Sequence, residues 1–408
     1  MWHKISITLR VRLISNFFQE FITMAFLPFI ALYLSDLANP KFAGIFLTLL
    51  VVANFPVSIV GGHLIETFPK KKAVLLYQSI MGTMLLLMAI IMTSSHQSIA
   101  LFCICYAIYN IVWGLQYPAM DTMIMDAITP DIENFIYKID YWLTNVATAL
   151  GALIGGLLYH NYKATLLFLA FLIFFAVFGA LWKWLPKDHG HFSNDLTTIH
   201  PIRIIKSYDT VLKDRRFIFM TLGFSILMMG ELSASSYIAI RLKETFNPIR
   251  FAYLDIDGVK MFSILMVVNT VIVISCTYII SKWSMSYNQK YILLLGMVMY
   301  VVGYASVTHL NHFYLLIVFM MVATIGEIIY VPIFDVNRFK MIPEDKRGTY
   351  SAFNSLGFNL SELIARFGIL LGVFLTSWGM AIYMLIILSI GAYCIYKAIY
   401  RDFQQRSI

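Results

Sequence analysis

Charge is scarce in this chain: Asp, Glu, Lys and Arg make up only 13% of its 408 residues, about half the share of an ordinary soluble domain, roughly 25%. Polar connections are scarce too. Residues 186–217 form the one long polar segment, too short for an ATPase domain, and no Walker-type phosphate loop occurs. Alternating strands of about ten residues are absent, which excludes a β-barrel. Cysteine is rare, and Cys103, Cys105, Cys276 and Cys394 all lie in apolar runs. The Cys-x-Cys pair lacks companion ligands, so these four are expected to pack rather than bind metal or cycle redox states. No paired histidines share a helix, and no serine nucleophile comes with an assignable base; neither enzyme chemistry nor a cofactor is expected. The first apolar stretch has no small-residue cleavage site and is expected to remain as a helix.

What fills the chain instead is apolar sequence, 60% of all residues. Twelve stretches begin near Leu13, Phe42, Ala73, Ile99, Ile136, Ala164, Phe217, Met261, Tyr291, Phe313, Tyr350 and Met380. Each runs about 20 residues or more, enough to cross ~30 Å of hydrocarbon as a helix. A backbone in lipid must satisfy its own polar groups, so an all-α bundle of twelve transmembrane helices is predicted. The stretches divide six and six, giving a first half over 1–185, a cytoplasmic connection over 186–216 and a second half over 217–408. In the connection, Ile202, Ile205, Tyr208 and Leu212 recur at helical spacing beside Arg203, Lys206 and Lys213, the pattern of a helix lying on a membrane surface. With both termini inside, 23 of the 30 lysines and arginines fall on the cytoplasmic side. That rim accounts for the net charge of +8 without a nucleic-acid partner. Short loops and no large soluble domain suggest a bacterial cytoplasmic membrane, with lipids as the surroundings and a monomer as the working unit.

The halves repeat one another weakly. Residues 130–137 can be laid on 343–350, and Gln116-Tyr117-Pro118 lies near Tyr330-Val331-Pro332, one residue out of register. Duplication of a six-helix unit puts a substrate site at the repeat interface near the bilayer midplane. Outside, Asp255-Ile256-Asp257-Gly258 has too few oxygen ligands for a calcium loop and reads as a tight turn in a short hairpin.

Against this apolar background the acids stand out. A carboxylate in hydrocarbon costs at least ~2.5 kcal/mol on insertion scales. Yet Glu20, Asp121, Asp140, Glu231, Glu327 and Glu362 all fall within the stretches, together with Arg366. Carboxylates out of water suit proton binding and release. Glu327 follows Gly326 and precedes Tyr330 and Pro332, which places aromatic surface on the acid's face, a setting for a lipophilic cation. Asp140 precedes Tyr141 and Trp142 and is either a coupling acid or a solvated charge near a helix start. Glu231 follows Gly230. Glu20 lies one turn from Asn16, which gives the first stretch a polar face. Glu362 and Arg366 stand four apart and either neutralise each other or let the arginine tune a nearby acid.

After the second stretch, Gly62, Glu66 and Lys70 to Lys72 resemble the loop signature of the major facilitator superfamily, with Glu66 at the aspartate position, Lys70 at the second arginine, and Thr67 and Pro69 departing from the pattern. More specifically, the chain resembles the lactococcal-type multidrug proton antiporters of that superfamily. The resemblance runs through Glu133-Asn134, Asp140-Tyr141-Trp142, Asn145 to Gly156, Met123 to Asp126 and Gly326-Glu327 to Pro332. It implies coupling and drug-binding roles for Asp140 and Glu327, and a cytoplasmic charge latch of Glu66, Lys70 and Asp126. Ser235 stands where that family carries an acid, with Glu231 one turn away as its relocated equivalent.

The resulting expectation is proton-coupled efflux of lipophilic, cationic compounds, a multidrug and antibiotic-resistance activity. It would use Glu327, Asp140, Glu231, Glu20 and Tyr330, with Arg366 and Glu362 beside them. The alternative is a dedicated exporter of an endogenous metabolite, metallophore or lipid, favoured if Arg366 faces the cavity.

Overall fold

A computed structural model describes residues 5–67, 70–94, 97–127, 133–185, 209–251, 254–284, 286–343 and 347–400. It is helical throughout apart from one hairpin. In chain order the helices are α1 Ile7–Phe26, α2 Ile30–Leu37, α3 Pro40–Thr67, α4 Lys70–Thr93, α5 Ile99–Ala127, α6 Glu133–Leu158 and α7 Lys163–Trp184. They continue as α8 Asp209–Lys213, α9 Arg215–Ser233, α10 Ala239–Thr245, α11 Gly258–Ser284, α12 Gln289–His309, α13 Phe313–Met341, α14 Arg347–Phe374 and α15 Ser377–Tyr400. Among the described residues, 11 spans are long and apolar enough to cross a membrane. The twelfth expected crossing is α6. It runs 26 residues, with Glu133, Lys138 and Asp140 in its first turns. Most of the anticipated surface helix lies outside the described residues; α8 is its only described part.

The chain forms two compact units, residues 1–30 with 52–199, and 31–51 with 200–408. In the first, α1 packs along α6 and α7, and α4 lies between α5 and α7. Gly151 and Gly155 make the α1–α6 contact possible: a Cβ on either would stand 2.3 Å from a backbone oxygen of α1, Phe21 O or Ala25 O. Leu9, Leu13 and Ile136 fill this seam. In the second unit α12 packs on α13 and α15, α9 on α14 and α15, and α11 on α13. Gly296 and Gly326 meet backbone to backbone across α12 and α13, close approach of the kind small residues give membrane helices. Large apolar side chains such as Trp182, Ile279 and Phe374 point outward, as a protein dissolved in hydrocarbon requires.

Strands β1 Ile249–Phe251 and β2 Leu254–Ile256 pair antiparallel as a short hairpin, but residues 255–258 are not its turn: Asp255 and Ile256 belong to β2. Asp257 then caps α11, accepting from the backbone N–H groups of Val259 and Lys260, each at 2.9 Å.

Candidate functional site

In the second unit three of the singled-out residues come together. Glu231 on α9 and Glu327 on α13 lie close enough to act on each other electrostatically. Among the described residues, none of the groups acting on either acid is a lysine or arginine. Around them stand Tyr300 and Tyr304 on α12 and Tyr330 on α13, all essentially buried. The Tyr300 ring packs on Tyr304 with centroids 4.7 Å apart and meets Tyr330 edge-on at 5.3 Å. The phenol rings therefore cover one another. Polar groups complete the site: Asn269 makes a polar contact with the Glu327 carboxylate and donates to Thr324 Oγ1 at 3.1 Å. Among the described residues, Glu327 Oε2 and Tyr304 Oη are buried with no hydrogen-bond partner. Such atoms call for a proton, water or ligand.

Tyr300 also reaches into the backbone of α9. Its hydroxyl donates to Leu227 O at 2.9 Å and accepts from the Glu231 N–H at 3.2 Å, the two groups of one helical rung. A side chain at a rung loosens a helix locally. Just beyond, Ala234–Ile238 is a π-helical turn in which Ser236 leaves helical geometry, with φ −120° and ψ −105°. Arg366 on α14 binds this turn, donating from Nη1 to Ser235 O at 3.2 Å and Ser236 Oγ at 3.3 Å. Its Nη2 donates to Glu362 Oε1 at 3.4 Å, so the i,i+4 pair forms. The arginine is thus an anchor of the α9 turn as well as Glu362's partner. Ser235 presents its carbonyl to Arg366, and its hydroxyl donates to Leu232 O at 3.3 Å.

The other singled-out acids sit in the first unit. Arg12, Asn16, Gln19 and Glu20 lie on one face of α1, following the helical repeat. Asn16 Nδ2 donates to Asp140 Oδ1 at 3.3 Å, while Arg12 Nη1 donates to Asn16 Oδ1 at 3.4 Å. Thr148 Oγ1 donates to Glu20 Oε1 at 3.5 Å. Next to Glu20, Gln19 and Gln116 both donate to Gln78 Oε1, at 2.8 and 2.6 Å. A cleft lined by these α1 residues, Trp113 and Gln116 opens beside them. The side chains of the expected latch, Glu66, Lys70 and Asp126, and of Asp121, lie outside the described residues.

Residue patterns alone did not mark the glutamine cluster, Asn269, or Tyr300 and Tyr304 as site residues. The signals were present: polar side chains at positions 16, 19, 20, 78 and 116 within apolar runs, and two tyrosines four apart. Arg241 on α10 is buried and serves a helix end. It donates to the carbonyls of Val307, His309 and Leu310, at 3.0, 3.3 and 2.9 Å, and to the Asn311 side chain. It thereby satisfies the C-terminal end of α12.

Residues 13–366 match the Major Facilitator Superfamily. The chain belongs to that superfamily. Major facilitator proteins are transporters rather than enzymes, and this one is a multi-pass membrane protein. It is 24% identical over 379 residues to a Na(+), Li(+), K(+)/H(+) antiporter of Planococcus maritimus, covering 88% of each chain. It is 22% identical over 359 residues to the MFS-type transporter YqjV of Bacillus subtilis (strain 168), covering 88% of this chain and 83% of that one. The peptide transporter POT in complex with sulfate superposes with a TM-score of 0.75 at 14% identity, over 96% of this chain and 94% of that one. The nucleoside transporter NupG (D323A mutant) gives 0.70 at 12%, over 97% and 100%. At such identities these structures establish the major facilitator fold alone.

Proposed function

We propose that this transporter exchanges protons for cations, exporting lipophilic cations across a bacterial cytoplasmic membrane. One observation carries the reading: Glu231 and Glu327 share a site in membrane-spanning helices, with no basic residue among the described groups acting on them. Two carboxylates in hydrocarbon are tolerable together only when a proton or a cation shares the site. Competition between those two occupants is the elementary requirement of antiport, because each release readies the pair for the other. Asp140 and Glu20 supply further acids in the first unit, and the latch expected of Glu66, Lys70 and Asp126 belongs to the same proposal. Both named relatives are bacterial.

A second reading is exchange of an alkali-metal cation. The oxygens beside the pair, on Asn269, Thr324 and Tyr304, are hard donors, the tyrosine rings are packed against one another, and one relative is named an alkali cation/proton antiporter. Export of an anionic metabolite is less well supported, since Arg366 is engaged by Glu362 and the α9 turn.

The test is purified protein in proteoliposomes carrying an internal pH dye and an imposed proton gradient. Ethidium is expected to release protons, and Glu327→Gln to lower that response at least about a hundredfold while the protein stays folded. A response to sodium, lithium or potassium but not to ethidium would select the second reading. Silence toward all of them, or full activity in Glu327→Gln, would sink proton-for-cation exchange.

A further inference from the structure

We infer that the outer groove between α12 and α15 holds an anionic phospholipid of the cytoplasmic leaflet, with one acyl chain in the groove and the phosphate on Lys290. On α12 the wall runs from Leu294 to Val302, and the buried side chains of Met297 and Val301 form the floor. On α15 it runs from Leu385 to Tyr396. Leu385, Ser389, Ala392 and Tyr396 follow one helical stripe. The two small residues in its middle leave the space, which is about 340 Å³ and within the range of ligand sites. The lining carries no charge.

Length and the charge at one end decide what fills it. The two helices run antiparallel, since Lys290 near the start of α12 meets Tyr396 near the end of α15, and His309 stacks on Trp378 at the other end. Lys290 lies one turn before Leu294. Its Nζ stands 5.8 Å from the centroid of the Tyr396 ring, and it is close enough to Tyr400 to act on it electrostatically. Among the described residues no carboxylate pairs with Lys290. The neighbouring cations are engaged on the α9 side: Arg216 donates to the carbonyls of Ala398 and Ile399, and Lys397 covers the Phe219 ring. From Val302 to Lys290 the helix rises about 18 Å, against ~15 Å for the hydrocarbon of one leaflet, half of ~30 Å. Lys290 belongs to the cytoplasmic rim, where basic groups between membrane helices suit anionic headgroups. An acyl chain matches the apolar length, and a phosphate meets Lys290 beside the Tyr396–Tyr400 pair, whose rings lie 5.6 Å apart. The same lysine repels a lipophilic cation, so the groove is not a second substrate site.

Photolabelling of the full-length protein in phosphatidylcholine liposomes provides the test. The liposomes carry a trace of phosphatidylglycerol or of phosphatidylcholine with a diazirine on one acyl chain, and adducts on the groove's lining are compared with those on outward-facing Ile279 of α11. On the lining, the phosphatidylglycerol probe is expected to give about fivefold more adduct than the phosphatidylcholine probe, the worth of one lysine near an anionic head. Lys290→Gln should bring the two probes to within about twofold of each other, and Lys290→Arg should keep the preference. Ser389→Trp, which fills the groove, should bring labelling of the lining down to the level at Ile279; if that variant does not fold, Lys290→Gln at the surface decides. Equal labelling by the two lipids in the native protein, or a preference that survives Lys290→Gln, would overturn the inference. So would protection of the lining by tetraphenylphosphonium, which would make the occupant a lipophilic cation.

Discussion

The two units meet the same difficulty, carboxylates placed in hydrocarbon, in different ways. In the first, Asp140 accepts from Asn16 and Glu20 from Thr148, beside Arg12 and a chain of amides anchored on one backbone carbonyl. In the second, Glu231 and Glu327 face each other among packed tyrosines, and one carboxylate oxygen has no partner among the described residues. Each acid of the first unit has a side-chain donor of its own. A pair without such a shell requires an occupant. The first arrangement suits recognition, the second exchange.

Neutralising each kind of acid breaks the comparison most directly. Glu231→Gln should lower proton-coupled exchange at least about a hundredfold, because one acid alone can hold a proton without being displaced by a cation. Glu20→Gln should weaken apparent substrate affinity while leaving maximal exchange within about tenfold. Proton flux recorded over a range of substrate concentrations separates the two; equal loss of maximal rate in both variants would erase the distinction. A smaller effect is expected at the π-helical turn. Arg366→Met leaves Ser235 O and Glu362 without their charged partner and should destabilise the protein by about 3 kcal/mol, read as a lowered unfolding midpoint in detergent. Arg366→Lys, which keeps charge but loses the fork, should recover part of it. Tyr300→Phe is the mildest, costing about 1 kcal/mol for the lost hydroxyl. It sharpens the comparison because it touches α9 next to Glu231 without altering an acid, so a changed proton-to-substrate ratio would show that the acid's position matters beyond its charge.

Much of the fold was legible in the apolar runs, since helix is the spanning form the sequence allows and twelve runs set the count. α6 reads as a span although Glu133, Lys138 and Asp140 stand in its first turns. Intramembrane acids likewise led to Glu231 and Glu327, as expensive residues do. Uncharged partners were harder to see. Gln78 and Tyr300 cost little individually in an apolar run, so nothing in composition marks them; their importance arises from whom they touch. Arg241 is a related case: along the chain it borders a loop, and in three dimensions it closes the end of α12. The serines at 233, 235 and 236 were a visible hint of the irregular turn, because such hydroxyls bond back to carbonyls one turn earlier.

That irregular turn has a consequence for how such sequences diverge. A π-turn accommodates an extra residue in a helix, so removing one residue from Ala234–Ile238 would restore regular winding and leave the faces on either side of it in place. A one-residue deletion elsewhere in α9 or α10 would instead rotate one part of the helix by about 100° relative to the other. Counting residues from Ser235 to find the counterpart of an acid in a relative is valid only between chains that share the bulge, so alignments through this helix should be gapped at the turn rather than scored straight across it.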